Sequence, residues 1–231
     1  MYEHIARNLD AIRDRITAAA ERAGRAPDDV TLVCVTKTRT LDEIRAALDW
    51  GVPVLGESRV QEAAEKVPRL PHTVVWHLVG HLQRNKVKHA IELFDMIHSV
   101  DTLRLAEEIE SRAAAAQEIV PVLIEVNVAG EQSKFGATPD EAVELAETMG
   151  RMPNVDLAGL MTMAPFVEDA ETVRAVFRGL RELRDRIRDE HGLALPHLSM
   201  GMTQDYEVAV EEGATMVRIG SAVFEVSDSV R

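Results

Sequence analysis

The sequence predicts an α/β fold, more specifically a single (β/α)₈ TIM barrel preceded by an extra N-terminal helix. Two observations support this prediction: short runs rich in β-branched residues alternate with longer stretches of helical period, and about eight such runs fit into 231 residues. Strands that alternate with helices form βαβ units and a parallel sheet. No long linker rich in Pro, Gly or Ser divides the chain, so we expect one domain over residues 1–231.

Each element is predicted from its hydrophobic period. The leading helix is expected at about residues 3–24. The predicted strands are Val30–Thr36, Val52–Leu55, Val74–Val79, Asp95–Val100, Val120–Asn127, Asp156–Met161, His197–Met200 and Met216–Ile219. The predicted helices between them are Leu41–Asp49, Arg59–Lys66, Gln83–Ile91, Thr102–Gln117, Pro139–Arg151, Ala170–Glu190 and Gln204–Glu211.

An open, doubly wound parallel sheet is the competing fold. The sequence has no G-x-G-x-x-G after the first predicted strand and no G-x-x-x-x-G-K-[ST]. These are the usual nucleotide-binding signatures of that fold, so their absence favours the barrel.

Composition limits the partners. The net charge is −13, aromatic residues make up 4% of the chain, and no block of Lys and Arg alternates with aromatic residues, so we expect no nucleic acid partner. No apolar stretch reaches the roughly 18 to 20 residues of a membrane helix, so we expect no membrane partner and a cytoplasmic location. The single cysteine, Cys34, is expected to pack as a small hydrophobic residue.

The stretch "VTLVCVTKTRT" places Lys37 at the end of the first predicted strand. In a parallel barrel, reactive groups lie at the carboxyl ends of the strands. Side chains alternate along a strand, so Lys37 shares a face with Val33 and Val35. A partly buried lysine has a larger neutral fraction, and a neutral amine attacks an aldehyde. The alternative is that Lys37 extends out of the strand end and pairs with a carboxylate.

Two other predicted strand ends carry features of an anion site. The segment "HLSMGMTQD" contains Ser199, Gly201 and Thr203, and "TMVRIGSAVFE" contains Arg218, Gly220 and Ser221. Hydroxyls and backbone N–H groups before a helix can bind an anion, and a phosphate site after strands seven and eight recurs in this fold. The first and last strands become neighbours when a barrel closes. Together these features suit a phosphate ligand that carries an aldehyde, for which pyridoxal 5'-phosphate (PLP) is the obvious candidate.

Eight motifs in order resemble those of the pyridoxal-phosphate homeostasis proteins, the proline synthetase co-transcribed homologue group. They are "CVTKT", "GESRVQE", "WHLVGHLQRNK", "HSVD", "EVNVAGEQSKFG", "GLMTM", "LSMGMTQD" and "VRIGSAVF", and they span about residues 30–225. The resemblance implies a fold type III PLP-binding barrel related to the N-terminal domain of alanine racemase. It also implies that the cofactor is held as an internal aldimine on Lys37.

The same resemblance implies roles for other residues. Ser199, Gly220 and Ser221 would hold the phosphate with Thr203 nearby, and Arg218 would face the pyridine nitrogen. An arginine does not give up its proton, so the ring nitrogen would stay unprotonated and the ring would be a weaker electron sink.

Two positions depart from the family pattern. Ser58 is a candidate cofactor contact, although it stands where the family usually has asparagine. Glu225 stands where the family usually has glycine. If that glycine serves a positive-φ turn, the last loop must be built differently here.

His77, His81 and His89 are candidate metal ligands, but no H-E-x-x-H motif and no cysteine partner accompany them, so no metal is expected. His77 and Asn85 are instead expected in the wall of the cofactor cleft.

The segment "EVNVAGEQSKFG" is expected to form a functional loop over the barrel mouth. Within it, Lys134 could receive the cofactor transiently.

The leading hypothesis for function is a protein that carries PLP and buffers or delivers it, with PLP-dependent apo-enzymes as candidate recipients. The alternatives are a weak PLP-dependent amino-acid racemase and a lysine Schiff-base aldolase without cofactor. A two-base racemase needs a second proton-transfer group, and neither of the two tyrosines, Tyr2 and Tyr206, suits that role from its position. No dimer-building second domain is evident, so a monomer is expected.

Overall fold

Eight parallel strands form a closed barrel in the computed structural model, which describes residues 2–131, 135–167 and 169–226. The strands follow one another around the barrel in chain order, and the last pairs with the first. They are β1 (Thr31–Val35), β2 (Val54–Glu57), β3 (Val75–Leu78), β4 (Met96–Val100), β5 (Val120–Glu125), β6 (Val155–Met161), β7 (His197–Ser199) and β8 (Met216–Ile219). The predicted fold class is therefore confirmed.

The helices of the described chain cover the outside of the barrel. They are α1 (Glu3–Arg22), α2 (Leu41–Trp50), α3 (Val60–Lys66), α4 (Val87–Leu93), α5 (Leu103–Ala116), α6 (Pro139–Met149), α7 (Ala170–His191), α8 (Tyr206–Glu211) and α9 (Ser221–Phe224). None of the helices within these described ranges has the length and hydropathy needed to cross a membrane.

The predicted boundaries differ from the observed ones by a few residues. The predicted helix Gln83–Ile91 begins instead as a 3-10 turn at Arg84–Lys86, and the α-helix follows at Val87. Helix α9 was not predicted, because one turn of helix is too short to show a hydrophobic period.

The barrel has an inner and an outer apolar layer. Inside the barrel, seven buried residues pack against one another: Val33, Val54, Met96, Leu123, Ala158, Met161 and Met216. Cys34 points the other way, into the layer between the strands and the helices, as the alternation along β1 requires. Burial raises the pKa of the Cys34 thiol to about 12, so this thiol acts as the packed hydrophobe that the sequence predicted.

Helix α1 forms hydrogen bonds to the chain segment that follows β8. The Asn8 side-chain amide donates hydrogen bonds to the carbonyl oxygens of Val223 and Glu225, at 3.0 and 2.9 Å. His4 contacts the carbonyl oxygen of Phe224 at 3.2 Å. The extra N-terminal helix therefore holds α9, the element that begins at Ser221, against the barrel.

A cluster of ion pairs joins α7 to the loop after α8. Glu212 is 5% exposed, and its carboxylate lies within 3.3 Å of guanidinium nitrogens of Arg174, Arg178 and Arg181. Burial opposes ionisation of Glu212, but the three guanidinium groups outweigh it and hold the pKa of Glu212 below its usual value. This pairing stabilises the fold above the ordinary pKa of a glutamate and is lost as the pH falls through the lowered value.

We expect Glu212→Gln to lower the free energy of unfolding at pH 7 by about 1 to 2 kcal/mol, because three guanidinium groups lose their charged partner. Urea unfolding followed by circular dichroism measures this value. Glu147→Gln is the control, since the pair of Glu147 with Arg151 lies at the surface and should contribute less than about 0.5 kcal/mol. Equal effects of the two substitutions would contradict this account.

Candidate functional site

A pocket of about 820 Å³ opens at the carboxyl ends of the strands. It is lined by residues at or after the carboxyl ends of β1, β2, β3, β5, β6, β7 and β8. Among the residues predicted to bind a cofactor, it contains Lys37, Ser58, Thr203, Arg218, Gly220 and Ser221. The barrel therefore brings together side chains from the first and last quarters of the sequence.

Lys37 lies in a turn just after β1, and it is exposed at the pocket. Along the same face of the strand, Val33 is inside the barrel and Val35 reaches the pocket wall. The Arg39 N–H closes the turn by donating to the Thr36 carbonyl oxygen at 3.0 Å. Strand alternation thus places a primary amine at the pocket, and this amine is exposed, whereas partial burial was expected.

Two hydroxyl groups meet on the wall beside Lys37. Ser221 Oγ donates to Thr203 Oγ1 at 3.0 Å, and the Ala222 N–H contacts the same Thr203 oxygen at 3.4 Å. At Gly220 the end of β8 passes close to β1, because a Cβ atom added there would lie 3.1 Å from the Val35 carbonyl oxygen. Hydroxyls and backbone N–H groups at this point form a donor set that suits a phosphate group.

Arg218 places a positive charge at the bottom of the pocket. The residue is only 4% exposed. One of its terminal nitrogens donates to Ser199 Oγ at 2.6 Å and the other to the Thr162 carbonyl oxygen at 2.9 Å. Burial lowers the pKa of Arg218 to about 10, with Glu125 and then Asp205 acting in the opposite direction, so the guanidinium group stays charged at neutral pH.

A line of hydrogen bonds continues from Arg218 into the barrel. His98 Nδ1 lies 2.9 Å from Ser199 Oγ, and His98 Nε2 lies 3.0 Å from His77 Nδ1. Arginine can only donate, so the Ser199 hydroxyl accepts from Arg218, and its own O–H is then available to donate to His98 Nδ1. In that arrangement a neutral His98 carries its proton on Nε2 and donates a hydrogen bond to His77 Nδ1.

Both histidines of this line are neutral. Burial lowers the pKa of His77 to about 4, and burial holds the pKa of His98 well below its usual value, with further contributions from His77, Arg218 and His197. Arg218 is therefore the charged member of the line at neutral pH.

The structure corrects four of the predicted placements. Ser199 is fully buried, and its hydroxyl is engaged by Arg218 and His98 inside the barrel, so the structure does not bring it to the pocket wall. Gly201 packs under α8, where a Cβ atom would lie 2.6 Å from the Ala209 Cβ atom. His77 lies inside the barrel and not in the cleft wall. Asn85 is exposed and lines a separate depression with Gln83, Arg84 and Glu108.

Ser58 and Glu225, the two departures from the family pattern, both line the pocket. The Ser58 N–H donates to Glu57 Oε2 at 3.2 Å. Glu225 has φ −79° and ψ 140°, an extended conformation that any residue adopts. The last loop of this chain therefore needs no glycine at that position.

The segment after β5 is partly described. Glu131 lines the pocket, and Asn127 closes the loop by accepting from the Glu131 N–H at 3.2 Å and donating to the Glu131 carbonyl oxygen at 2.8 Å. Lys134, for which a transient cofactor contact was predicted, lies outside the described residues. His81 stacks on Phe135 at 4.1 Å, and in the described ranges no group of three His, Cys, Asp or Glu side chains could hold a metal ion.

Glu125 is a buried carboxyl group that falls within the predicted strand Val120–Asn127 and begins the motif "EVNVAGEQSKFG". It is the last residue of β5 and is 3% exposed. Burial raises the pKa of Glu125 to about 7; Asp101 adds to this shift and Arg218 opposes it. The strand pattern around it contains no feature that separates a buried end residue from an exposed one.

Comparison with known proteins identifies the family. The family model described as "Alanine racemase, N-terminal domain" matches residues 7–228. A pyridoxal phosphate homeostasis protein from Aquifex aeolicus is 47% identical over 217 residues, covering 94% of this chain and 95% of that protein. The chain belongs to the pyridoxal phosphate homeostasis protein family.

Further comparisons agree with this assignment. The protein of that name from Escherichia coli strain K12 is 38% identical over 235 residues, with 97% of each chain covered. The solved structure of PipY from Synechococcus elongatus with PLP bound superposes with a TM-score of 0.84 at 32% identity, covering 96% of this chain and 100% of that one. An alanine racemase from Clostridium difficile, at 16% identity and a TM-score of 0.77, shares the fold; this chain covers 58% of it.

The raised pKa of Glu125 predicts how stability depends on pH. Because the folded state binds this proton more tightly than the unfolded chain, the stabilisation that it provides is complete below about pH 4.5 and is lost as the pH rises to about 7. The free energy of unfolding of the wild type should therefore fall by up to about 3 kcal/mol between pH 5 and pH 8 through this group. Glu125→Gln should abolish this contribution to the fall. Urea unfolding at the two pH values measures it.

The control for this measurement is Glu118→Gln, since Glu118 is exposed just before the same strand. It should keep the wild-type pH dependence. If Glu125→Gln kept it as well, the assignment of a raised pKa to Glu125 would be wrong.

Proposed function

We propose that this chain binds pyridoxal 5'-phosphate in the pocket at the barrel mouth and serves PLP homeostasis by buffering or delivering the cofactor. One observation carries the proposal: the exposed amine of Lys37, the paired hydroxyls of Thr203 and Ser221, and the buried charge of Arg218 all line one pocket. The names of the relatives and the PLP-bound PipY structure support it.

The residues present fit the cofactor. Bound PLP supplies an aldehyde that condenses reversibly with a primary amine, and Lys37 provides that amine. Thr203, Ser221 and the backbone at Gly220 would bind the phosphate, and Ser58 lines the wall near the amine. Ser199 and His77 take a different role from that first expected, because they would hold Arg218 from below.

Arg218 would donate a hydrogen bond to the pyridine nitrogen. Two of its N–H groups bond to Ser199 and Thr162, which leaves other N–H donors of the fork for a ligand. Because the guanidinium group keeps its proton at neutral pH, the ring nitrogen would remain an acceptor. This arrangement limits the ability of the ring to withdraw electrons, and so to stabilise a substrate carbanion.

The tyrosines also favour a carrier over a two-base racemase. Tyr206 is 2% exposed, burial raises the pKa of its hydroxyl, and Arg15 of α1 lies over its ring at 5.6 Å. Tyr2 lies just before α1. Neither is among the residues that line the described part of the pocket. We propose that the protein acts as a cytoplasmic monomer. We also propose that it passes PLP to PLP-dependent apo-enzymes, because an open barrel mouth gives an incoming amine access to the cofactor.

Lys37→Ala should abolish the visible absorption band that the wild-type protein develops with PLP, because the linkage needs a primary amine at that position. Absorbance spectroscopy measures the band, and peptide mapping after borohydride reduction locates the label. Lys88→Ala is the matched control, since Lys88 is exposed on α4 and its loss should leave the band unchanged. Label on other lysines with none on Lys37 would contradict the proposal.

The same proteins separate a carrier from an enzyme. The PLP-loaded wild type should show no sustained racemisation of chiral amino acids, followed by chiral chromatography. Sustained turnover that disappears in Lys37→Ala would support the racemase alternative instead.

A further inference from the structure

We propose that Glu57, Lys66 and Glu62 are positioning residues that hold the turn containing Lys37 in the conformation that captures the cofactor. This inference rests on the proposed function of Lys37. These three residues do not line the pocket; they lie behind the turn and act through the residues on either side of Lys37.

The first part of this arrangement is a buried ion pair that binds the residue before Lys37. Glu57, at the end of β2, has a fully buried side chain, and its Oε1 atom lies 2.5 Å from Lys66 Nζ of α3. The Thr36 hydroxyl donates to the same Glu57 oxygen at 2.8 Å. Lys66 Nζ also donates to the Thr36 carbonyl oxygen at 2.8 Å. Thr36 is thus held by its side chain and by its main chain.

The second part binds the residue after Lys37. Thr38 has φ +62°, a left-handed conformation that is costly for a β-branched residue. The Thr38 N–H donates to Glu62 Oε2 at 3.2 Å, and Glu62 lies one helical turn before Lys66, at 3.7 Å from its Nζ atom. A hydrogen bond to a carboxylate therefore supports the strained residue of the turn.

The pair of Glu57 and Lys66 is better explained by position than by stability. The free-energy cost of removing two charges from water can equal or exceed the free energy of their attraction, so a buried ion pair is weak evidence of stabilisation. Hydrogen bonds to one carbonyl and one hydroxyl are directional, and an apolar pair would not provide them. With both neighbours fixed, the Lys37 side chain starts from one defined point, which lowers the entropy lost when its amine meets the aldehyde.

The test uses two variants that address the two parts separately. The double variant Glu57→Gln/Lys66→Met removes both charges together and keeps the volume, so that no buried charge is left unpaired. Glu62→Ala removes the acceptor of the Thr38 N–H from a partly exposed position. Glu212→Gln is the matched control, because it neutralises a buried carboxylate that is paired with arginines of α7, away from the pocket.

Two measurements are made at a temperature where circular dichroism shows each variant folded. Amide hydrogen exchange of residues 37–39 in the cofactor-free protein should become at least about tenfold faster in both test variants. The dissociation constant for PLP, from titration of the visible band, should rise about tenfold, because the competent conformation of the turn would then be populated in only about a tenth of the molecules. Glu212→Gln should change neither value.

The two measurements separate failure of this inference from failure of the proposed function. Wild-type exchange rates and wild-type PLP affinity in both folded test variants would overturn the positioning role. If the wild type formed no band with PLP, the proposed function would fail, and with it the role of these residues in cofactor capture. If exchange increased in the variants while PLP affinity did not change, the turn would be held as described but would not govern capture, and the inference would be overturned.

Discussion

The guanidinium group of Arg218 sits almost fully inside the barrel, and the chemistry of the site depends on keeping that charge there. A buried cation is costly unless polar groups replace water around it. Ser199 and the Thr162 carbonyl do so directly, and neutral His98 and His77 continue the line of hydrogen bonds below. The polar interior thus serves to orient one charge toward the pocket.

Closure of the barrel then determines what this charge can act on. Lys37 follows the first strand, and Ser221 follows the last, yet β1 and β8 are paired neighbours. The narrow gap between Gly220 and Val35 brings the two strand ends together, and α1 holds α9 in place from outside. An amine, a pair of hydroxyls and a cation therefore meet at one mouth although they are distant in the sequence.

The sequence was sufficient to predict features with local causes. The strand and helix periods predicted the barrel, and alternation along β1 predicted the position of Lys37. The two hydroxyl groups of "HLSMGMTQD" have different positions: Ser199 belongs to β7 and points into the barrel, whereas Thr203 lies in the following loop at the pocket. The predicted strand His197–Met200 already separated them, but the motif alone did not show that the Ser199 hydroxyl bonds to Arg218 and His98. The contacts of Glu57 with Lys66 could not be predicted, because they depend on how α3 packs behind the first two strands.

We propose that Arg218 keeps the pyridine nitrogen of bound PLP unprotonated. Solid-state NMR of the protein loaded with PLP labelled with ¹⁵N in the ring measures the protonation of that nitrogen. The expected spectrum has the chemical shift of an unprotonated nitrogen that accepts a hydrogen bond, unchanged across the neutral pH range. The chemical shift of a pyridinium nitrogen at neutral pH would show that Arg218 does not have this role.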